Sequence, residues 1–168
     1  MKLSGGVEWA LHCCVVLTTA THPVPAARLA ELHDVSGSYL AKQLQALSRA
    51  GLVDSVQGKA GGYVLTRAPG LITVLDVVLA VDGPEPAFAC TEIRQRGPLA
   101  AAEDACARPC AISRAMATAD AAWRAALREI SVADLARNVE EDNGPSALAA
   151  IGTWLTGPGG AGSASGAR

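Results

Sequence analysis

Three cysteines are the residues whose type and spacing could most readily do chemistry. Cys90, Cys106 and Cys110 lie in a stretch that proline and glycine interrupt, with three arginines close by in the sequence. Positively charged neighbours favour the thiolate, which is the form of cysteine that ligates metals. Their C-x15-C-x3-C spacing matches neither a zinc knuckle nor a ferredoxin run. The three residues therefore predict a metal-sensing loop, while the spacing alone leaves the metal undefined.

The other two cysteines have a simpler interpretation. Cys13 and Cys14 stand in the middle of an apolar helical segment. Free cysteine is a common small core residue, so both are predicted to contribute packing only.

Two short helices precede the cysteines and predict a DNA-reading element. Apolar residues recur at helical spacing from Val24 to Leu32, and a second apolar period runs from Leu40 to Ala50. Ser36 or Gly37 is a plausible N-cap for the second helix, and Gly51 suits its C-terminal end. Two helices joined by a short turn indicate a helix-turn-helix motif.

The polar face of the second helix can read DNA. Its residues off the apolar stripe can donate hydrogen bonds to phosphates or to base edges in a major groove, which is typical of a recognition helix. They are Ser38, Tyr39, Lys42, Gln43, Gln45 and Arg49.

A hairpin follows the recognition helix. Residues 58–63 form a glycine-rich tip that carries Lys59 between two strand-like segments. Such a tip can approach the DNA backbone closely, which favours a winged helix-turn-helix over an ordinary three-helix core.

The sequence also resembles a known family. The segments Ala50-Gly51-Leu52-Val53 and Gly61-Gly62-Tyr63, the opening helix and the cysteine-bearing loop before a long helix are similar to the bacterial Rrf2 family typified by IscR and NsrR. The resemblance covers about residues 1–142. Within the family, the chain looks most like the redox-sensing type represented by RsrR.

The resemblance implies an iron-sulfur cluster. By order along the chain, Cys90 matches the first family ligand and Cys110 the last, whereas Cys106 falls in a shortened interval. The position of the histidine ligand of IscR-like members is Ser113 here, so the remaining ligands must come from elsewhere.

Two residues outside the loop complete the implied ligand set. Glu8 matches an aspartate that NsrR-like members supply from the opposite subunit, and the likeness to RsrR supports His33. Glu8 could instead stabilise its own helix dipole, and His12, one turn from Glu8, is the rival histidine. Glu8 and His33 of one subunit with Cys90 and Cys110 of the other would hold a 2Fe-2S cluster bridging a homodimer.

Composition agrees with a DNA-binding protein of the cytoplasm. The chain has 168 residues, half of them hydrophobic, and a formal charge of −2 that argues against indiscriminate nucleic-acid binding. Residues 36–67 are nevertheless basic. No apolar stretch is long enough to span a membrane and no export signal is evident, so the cytoplasm is the expected compartment.

The predicted fold is mainly α, a winged helix-turn-helix with a long C-terminal dimerisation helix. We expect a DNA-binding domain at residues 1–82, a cluster-binding loop at 83–110 (the cysteine loop), a dimerisation region at 111–142, and a C-terminal segment at 143–168 with a disordered tail from Gly157. Within these, residues 72–81 are predicted to form a buried helix with Leu71 on its apolar stripe. A long amphipathic helix should run to about Ile130.

The resulting hypothesis is a dimeric transcriptional regulator, most simply a repressor, that binds operator DNA, senses redox state and has no small-molecule substrate. Alternatives are a sensor of nitric oxide or of iron-sulfur supply, a cluster-free thiol switch using Cys106 and Cys110, and a structural winged-helix adaptor. A cysteine-based oxidoreductase is disfavoured because the chain has no C-x-x-C motif.

Overall fold

A computed structural model describes residues 3–58 and 60–157 of the chain. That part is mainly helical, with one small antiparallel sheet. In chain order its elements are α1 (Gly5–Leu17), α2 (Ala26–Leu32), α3 (Gly37–Arg49), β1 (Val53–Val56), β2 (Gly62–Leu65), α4 (Val74–Asp82), α5 (Ala111–Arg128), α6 (Val132–Asn143) and α7 (Ala147–Thr156).

The predicted helix-turn-helix is confirmed as α2 and α3. Ser36 caps α3, where its side-chain oxygen accepts a hydrogen bond from the Tyr39 N–H at 3.4 Å. Helix α2 begins two residues later than predicted because Val24 is extended and pairs with Tyr63 of β2 through backbone hydrogen bonds of 3.0 and 2.8 Å. This pairing attaches the start of the helix-turn-helix to the hairpin.

The hairpin that forms the wing has the expected antiparallel register, with Val53 opposite Leu65 and Val56 opposite Gly62. Gly62 lies against the backbone of Val24, where an added Cβ would come within 2.3 Å of the carbonyl carbon. Only glycine therefore fits at this crossing. Lys59, at the tip, lies outside the described residues.

Helix α1 passes through the centre of the core. Ala10, Cys13 and Cys14 are fully buried on it, and the helix packs against α3, α4 and α6. The predicted packing role of both cysteines agrees with this burial. The predicted burial of Leu71 is wrong, because a short 3₁₀ turn at Pro69–Leu71 turns that side chain outward and Ile72 takes the core position.

Helix α5 confirms the predicted long helix, but only some of its apolar residues pack against the rest of the chain, while others face solvent. Trp123 and Leu127 pack against Val7, Val74 and Val78 of the same chain. Ile112 and Met116, nearer the N-terminal end, are 67% and 41% exposed. No described residue of α5 is buried in the single chain, so its first turns present an apolar surface to solvent.

The C-terminal segment contains helix α7, which the sequence did not predict. Helix α6 begins at a capping box of Ser131 and Asp134, and α7 follows it and folds back onto the helix-turn-helix. The Arg28 guanidinium of α2 lies 3.7 Å from the centre of the Trp154 ring and donates to the Trp154 carbonyl at 2.5 Å. Most of the predicted disordered tail, residues 158–168, lies outside the described residues.

Among the described helices, none is both long enough and apolar enough to cross a membrane.

Candidate functional site

The two ends of the cysteine loop meet at Cys90 and Cys110. Cys110 caps α5, and its sulfur accepts a hydrogen bond from the Ser113 N–H at 3.2 Å. This bond, a hydrogen bond from the Cys90 thiol, another from the Ile112 N–H and the charge of Arg94 together lower the pKa of Cys110, against the opposing effect of burial. The pair thus presents two adjacent sulfurs, one of them biased towards the thiolate that metals bind.

Arg94 connects the chain segments beside these two cysteines. Its Nε and Nη2 atoms donate to the Glu92 carboxylate at 2.6 and 2.9 Å, and Nη2 also donates to the Arg108 carbonyl at 2.9 Å. The pKa of Arg94 is raised, chiefly by the bond to Glu92 and further by the nearby Cys106 and Cys110. Cys106 and Cys110 therefore both lie within electrostatic reach of this guanidinium.

An open, largely apolar cavity of about 510 Å³ adjoins the pair of sulfurs. Its walls include Phe88, Ile93 and Ile112 together with Cys90 and Cys110. An apolar surrounding is one of the factors by which proteins tune a metal centre.

Glu8 and His33 lie on a different part of the chain. Glu8 is exposed on the first turns of α1 and makes no hydrogen bond or ion pair with the described residues. His33 follows α2, and its ring makes edge contacts with Trp9 and His12, at centroid distances of 5.9 and 5.7 Å. Burial, and secondarily His12, lower the pKa of His33, which favours the neutral imidazole that ligates metals.

The His33 Nε2 atom is buried and has no hydrogen-bond partner among the described residues. Buried polar atoms are nearly always paired, so an unpaired one requires an explanation such as an ion or a partner group. His12 remains the rival candidate, since it lies in contact with the same ring.

A single chain does not assemble the four predicted ligands. Among the described residues, no group of three or more His, Cys, Asp or Glu side chains could hold a metal ion. The structure instead places Cys90 and Cys110 on one cavity, and Glu8 on α1, the helix whose Trp9 and His12 contact the His33 ring. These donors, two thiols, an imidazole and a free carboxylate, suit iron, provided that the pairs come from different chains.

The exposed face of α3 contains most of the predicted DNA-binding residues. Ser38, Tyr39 and Lys42 are exposed on its N-terminal half, the half that contacts base edges when such a helix lies in a major groove. The prediction that Gln43 shares this face is wrong. Gln43 is only 5% exposed, because its side chain is covered by α1 at Gly6.

Two features of the site escaped the sequence analysis. Arg94 was noted only as a positive neighbour, although Glu92-x-Arg94 is a spacing that permits a local ion pair. The contact between Gly6 and Gln43 joins residues far apart in sequence. The Gly5-Gly6 pair at the start of a helix was the available signal, since such glycines often allow close approach of another element.

Comparison with known proteins adds an independent line of evidence. Residues 3–138 match the family model Rrf2, described as "Iron-dependent Transcriptional regulator". The transcriptional regulators IscR of Enterobacter sp. (strain 638) and of Klebsiella pneumoniae are each 42% identical to the chain over 76 residues. That match covers 45% of this chain and 47% of each relative, so the chain spans about half the length of these curated relatives.

Solved structures show the same fold. CymR of B. subtilis, described as its global cysteine regulator, superposes with a TM-score of 0.64 at 24% identity, over 82% of this chain and 98% of that one. IscR of T. potens superposes with a TM-score of 0.62 at 24% identity, over 84% and 90%. These relatives are named as regulators of transcription or metabolism, and none of these names denotes an enzyme.

Proposed function

This chain belongs to the Rrf2 family of iron-dependent transcriptional regulators, and on that premise we propose that it is a homodimeric, operator-binding regulator that senses redox state in the cytoplasm. The sensor would be a 2Fe-2S cluster shared between two subunits, and repression is the simplest outcome. Cys90 and Cys110 of one subunit and Glu8 and His33 of the other would hold the cluster.

One observation carries the cluster proposal: the chain contains two incomplete donor pairs at different places. Cys90 and Cys110 line the same cavity, and the buried Nε2 of His33 has no hydrogen-bond partner among the described residues. Each pair lacks the ligands that the other could provide. Two copies of the chain related by a two-fold axis would complete two equivalent sites.

The chain's own residues would set the properties of the site. When bound, a 2Fe-2S cluster supplies reversible one-electron chemistry, at a potential that rises when imidazole replaces thiolate. Burial lowers the pKa of His33, which favours its neutral form, and its ring packs against Trp9 and His12. Because His33 ends the helix before α3, a shift of its ring has a short mechanical route to the recognition helix.

A second copy of the chain is the partner that the exposed face of α5 fits best. Ile112 and Met116 expose apolar surface beside the cysteine loop, and an exposed apolar patch of this kind favours a protein interface. Dimerisation there would bring the cysteine loop of one subunit close to its partner. We expect the two α3 helices of the dimer to read half-sites about 34 Å apart, one turn of a pseudo-palindromic operator.

DNA binding is supported by the exposed donors Ser38, Tyr39 and Lys42 on α3 and by the glycine-rich wing tip. Lys59 stays a predicted phosphate contact. Gln43 is no longer part of this set, because α1 covers it.

A thiol switch without a cluster is the second candidate. Its specific support is that the charge of Arg94 contributes to the lowered pKa of Cys110, and a lowered pKa favours a reactive thiolate. Sensing of nitric oxide or of iron-sulfur supply would use the same cluster site.

Subunit mixing tests the proposal. A Glu8→Ala/His33→Ala subunit is combined with a Cys90→Ala/Cys110→Ala subunit and reconstituted anaerobically. One site of the heterodimer then inherits all four ligands and the other none, so about half the wild-type cluster absorbance per dimer should return if the two sites are independent. Neither variant homodimer should hold a normal cluster.

Three results would contradict this assignment. A colourless heterodimer formed from folded subunits would indicate ligation within one chain, with Cys106 and His12 as the leading substitutes. A colourless wild-type protein that still changes its DNA affinity on thiol oxidation would favour the thiol switch. A cluster whose oxidation state leaves DNA affinity unchanged, while nitric oxide alters it, would favour the other sensing mode.

A further inference from the structure

We propose that Arg94 is a positioning residue that brings the two ends of the cysteine loop together before any metal binds. The identity of the group that Cys90 and Cys110 then hold rests on the proposed function. The positioning itself concerns only the protein and can be measured without iron.

The contacts of Arg94 reach both flanks of the cysteine pair. Glu92, two residues after Cys90, accepts two hydrogen bonds from the guanidinium, at 2.6 and 2.9 Å. The carbonyl of Arg108, two residues before Cys110, accepts a third at 2.9 Å. One planar group thus links the segments that adjoin the two cysteines. The rigid guanidinium of arginine suits this role better than the ammonium group of lysine.

The part of the cysteine loop between Cys90 and Cys110 has little apolar packing. Ile93 and Leu99, two of its large apolar side chains, are 73% and 95% exposed, so they add little packing energy. A long segment without packing loses conformational entropy when its ends are brought together. Hydrogen bonds near Arg94 must offset that loss, and the Arg94 carbonyl adds one by accepting from the Ala101 N–H at 2.7 Å.

The backbone of Glu92 supports the same role. Glu92 has a φ of +51°, in the left-handed region that a residue with a side chain seldom adopts. Such a conformation persists when surrounding contacts hold it. The two-point contact with Arg94 is the contact that the structure shows for this side chain.

The experiment measures how close the two thiols are in metal-free protein. The background is Cys106→Ala, and the buried Cys13 and Cys14 do not compete for reagent. Dibromobimane, a short reagent that becomes fluorescent after joining two nearby thiols, is added to the native protein. The rate of fluorescence gain, with a denaturing gel to exclude links between chains, reports on Cys90 and Cys110.

Four proteins are compared: the background, Arg94→Gln, Arg94→Lys and the matched control Arg96→Gln. Arg96 lies in the same loop, where its side chain donates to the Thr91 carbonyl at 3.3 Å. We expect Arg94→Gln to slow cross-linking about fivefold, as for loss of one partly exposed ion pair with its hydrogen bonds. Arg94→Lys should also slow it, because lysine keeps the charge but cannot link both flanks. Arg96→Gln should match the background.

The inference is overturned if Arg94→Gln cross-links at the background rate, or if Arg96→Gln slows the reaction equally. It is also overturned if Arg94→Lys restores the full rate, since charge alone would then suffice. Iron content of the wild-type protein separates the two proposals. A wild-type protein that holds no cluster refutes the proposed function, while the dependence of cross-linking on Arg94 decides the positioning role.

Discussion

Replacing Gly6 with alanine should disturb the contact between α1 and the recognition helix. An added Cβ would lie 2.6 Å from Oε1, 2.9 Å from Cδ and 3.1 Å from Nε2 of Gln43. The first two distances are shorter than real Cβ contacts allow, so the Gln43 side chain or α1 must move. The same change at Gly5 meets only the Tyr39 hydroxyl at 3.7 Å, which is an ordinary contact.

The magnitude follows from two opposing effects. Overpacking of a buried site costs about 1–3 kcal/mol of folding free energy, and Gln43 has little free space to move into. Alanine returns up to about 1 kcal/mol through its higher helix propensity. Gly6→Ala should therefore destabilise the protein by about 1–2 kcal/mol, or about 2–8 °C in Tm, whereas Gly5→Ala should be neutral or slightly stabilising.

Thermal melts followed by circular dichroism provide the assay, with Gly5→Ala as the matched control. In a Gln43→Ala background the added methyl group has room, so Gly6→Ala should there lose its cost. Equal melting temperatures for the two alanine variants would refute the reasoning. So would a Gly6→Ala penalty that persists in the Gln43→Ala background, because the clash would then lie elsewhere.

Three further predictions concern ligands, DNA and acid. Cys90→Ala should abolish incorporation of iron, whereas Cys13→Ala should keep the iron and lose about 1 kcal/mol of stability; equal iron contents would contradict the assignment. Lys42→Ala and Lys59→Ala should each weaken binding to operator and random DNA alike and reduce the salt slope by about 1, as measured by anisotropy titration. The pKa of Asp134 is lowered to about 2, chiefly by a hydrogen bond from the serine hydroxyl that caps α6. The folded-state pKa of Asp134 lies below the ordinary value of 3.8. The ionised carboxylate therefore stabilises the folded protein fully above pH 3.8, and this stabilisation is lost as the pH falls towards 2. The difference in Tm between wild type and Asp134→Asn should shrink over that range, and a constant difference would show that the carboxylate charge is irrelevant.

Local signals explain why the helix-turn-helix could be located from the sequence. The N-cap at Ser36, the apolar period of α3 and the glycine-rich hairpin each act within a few residues, and the structure confirms all three. Local pattern also located the long helix α5 to within about two residues at its C-terminal end.

Features that depend on distant partners could not be predicted. Gln43 is polar and stands beside the apolar stripe, yet α1 covers it because Gly6 lets the two helices approach closely. Helix α7 contains Gly152, which weakens a helical pattern, but that glycine allows the helix to lie against Thr19. In both places a glycine permits a close contact, and the residue that it contacts is distant in the sequence.

The candidate site also has features that the sequence predicted and features that it could not predict. Cysteine chemistry and the resemblance to the family predicted Cys90 and Cys110 as ligands, and both line one cavity in the structure. The residue of this loop that pairs with Arg94, Glu92, has a left-handed backbone, and a glutamate at that position does not signal such a conformation. The pairing of the thiols with Glu8 and His33 stays a proposal that concerns two chains.

The burial of Cys13 and Cys14 provides a way to measure how often the core of the protein opens. Burial raises the pKa of each thiol to about 12, so neither reacts with a water-soluble alkylating reagent until α1 leaves the core. In metal-free protein the three loop thiols would be modified promptly, and the two core thiols only at the frequency with which the core opens. Mass spectrometry of intact chains would then separate a fast step of three additions from a slow step of two. The alkylation rate of Cys13 and Cys14 thus reports how often the core opens. It can be measured with and without DNA and needs no added label.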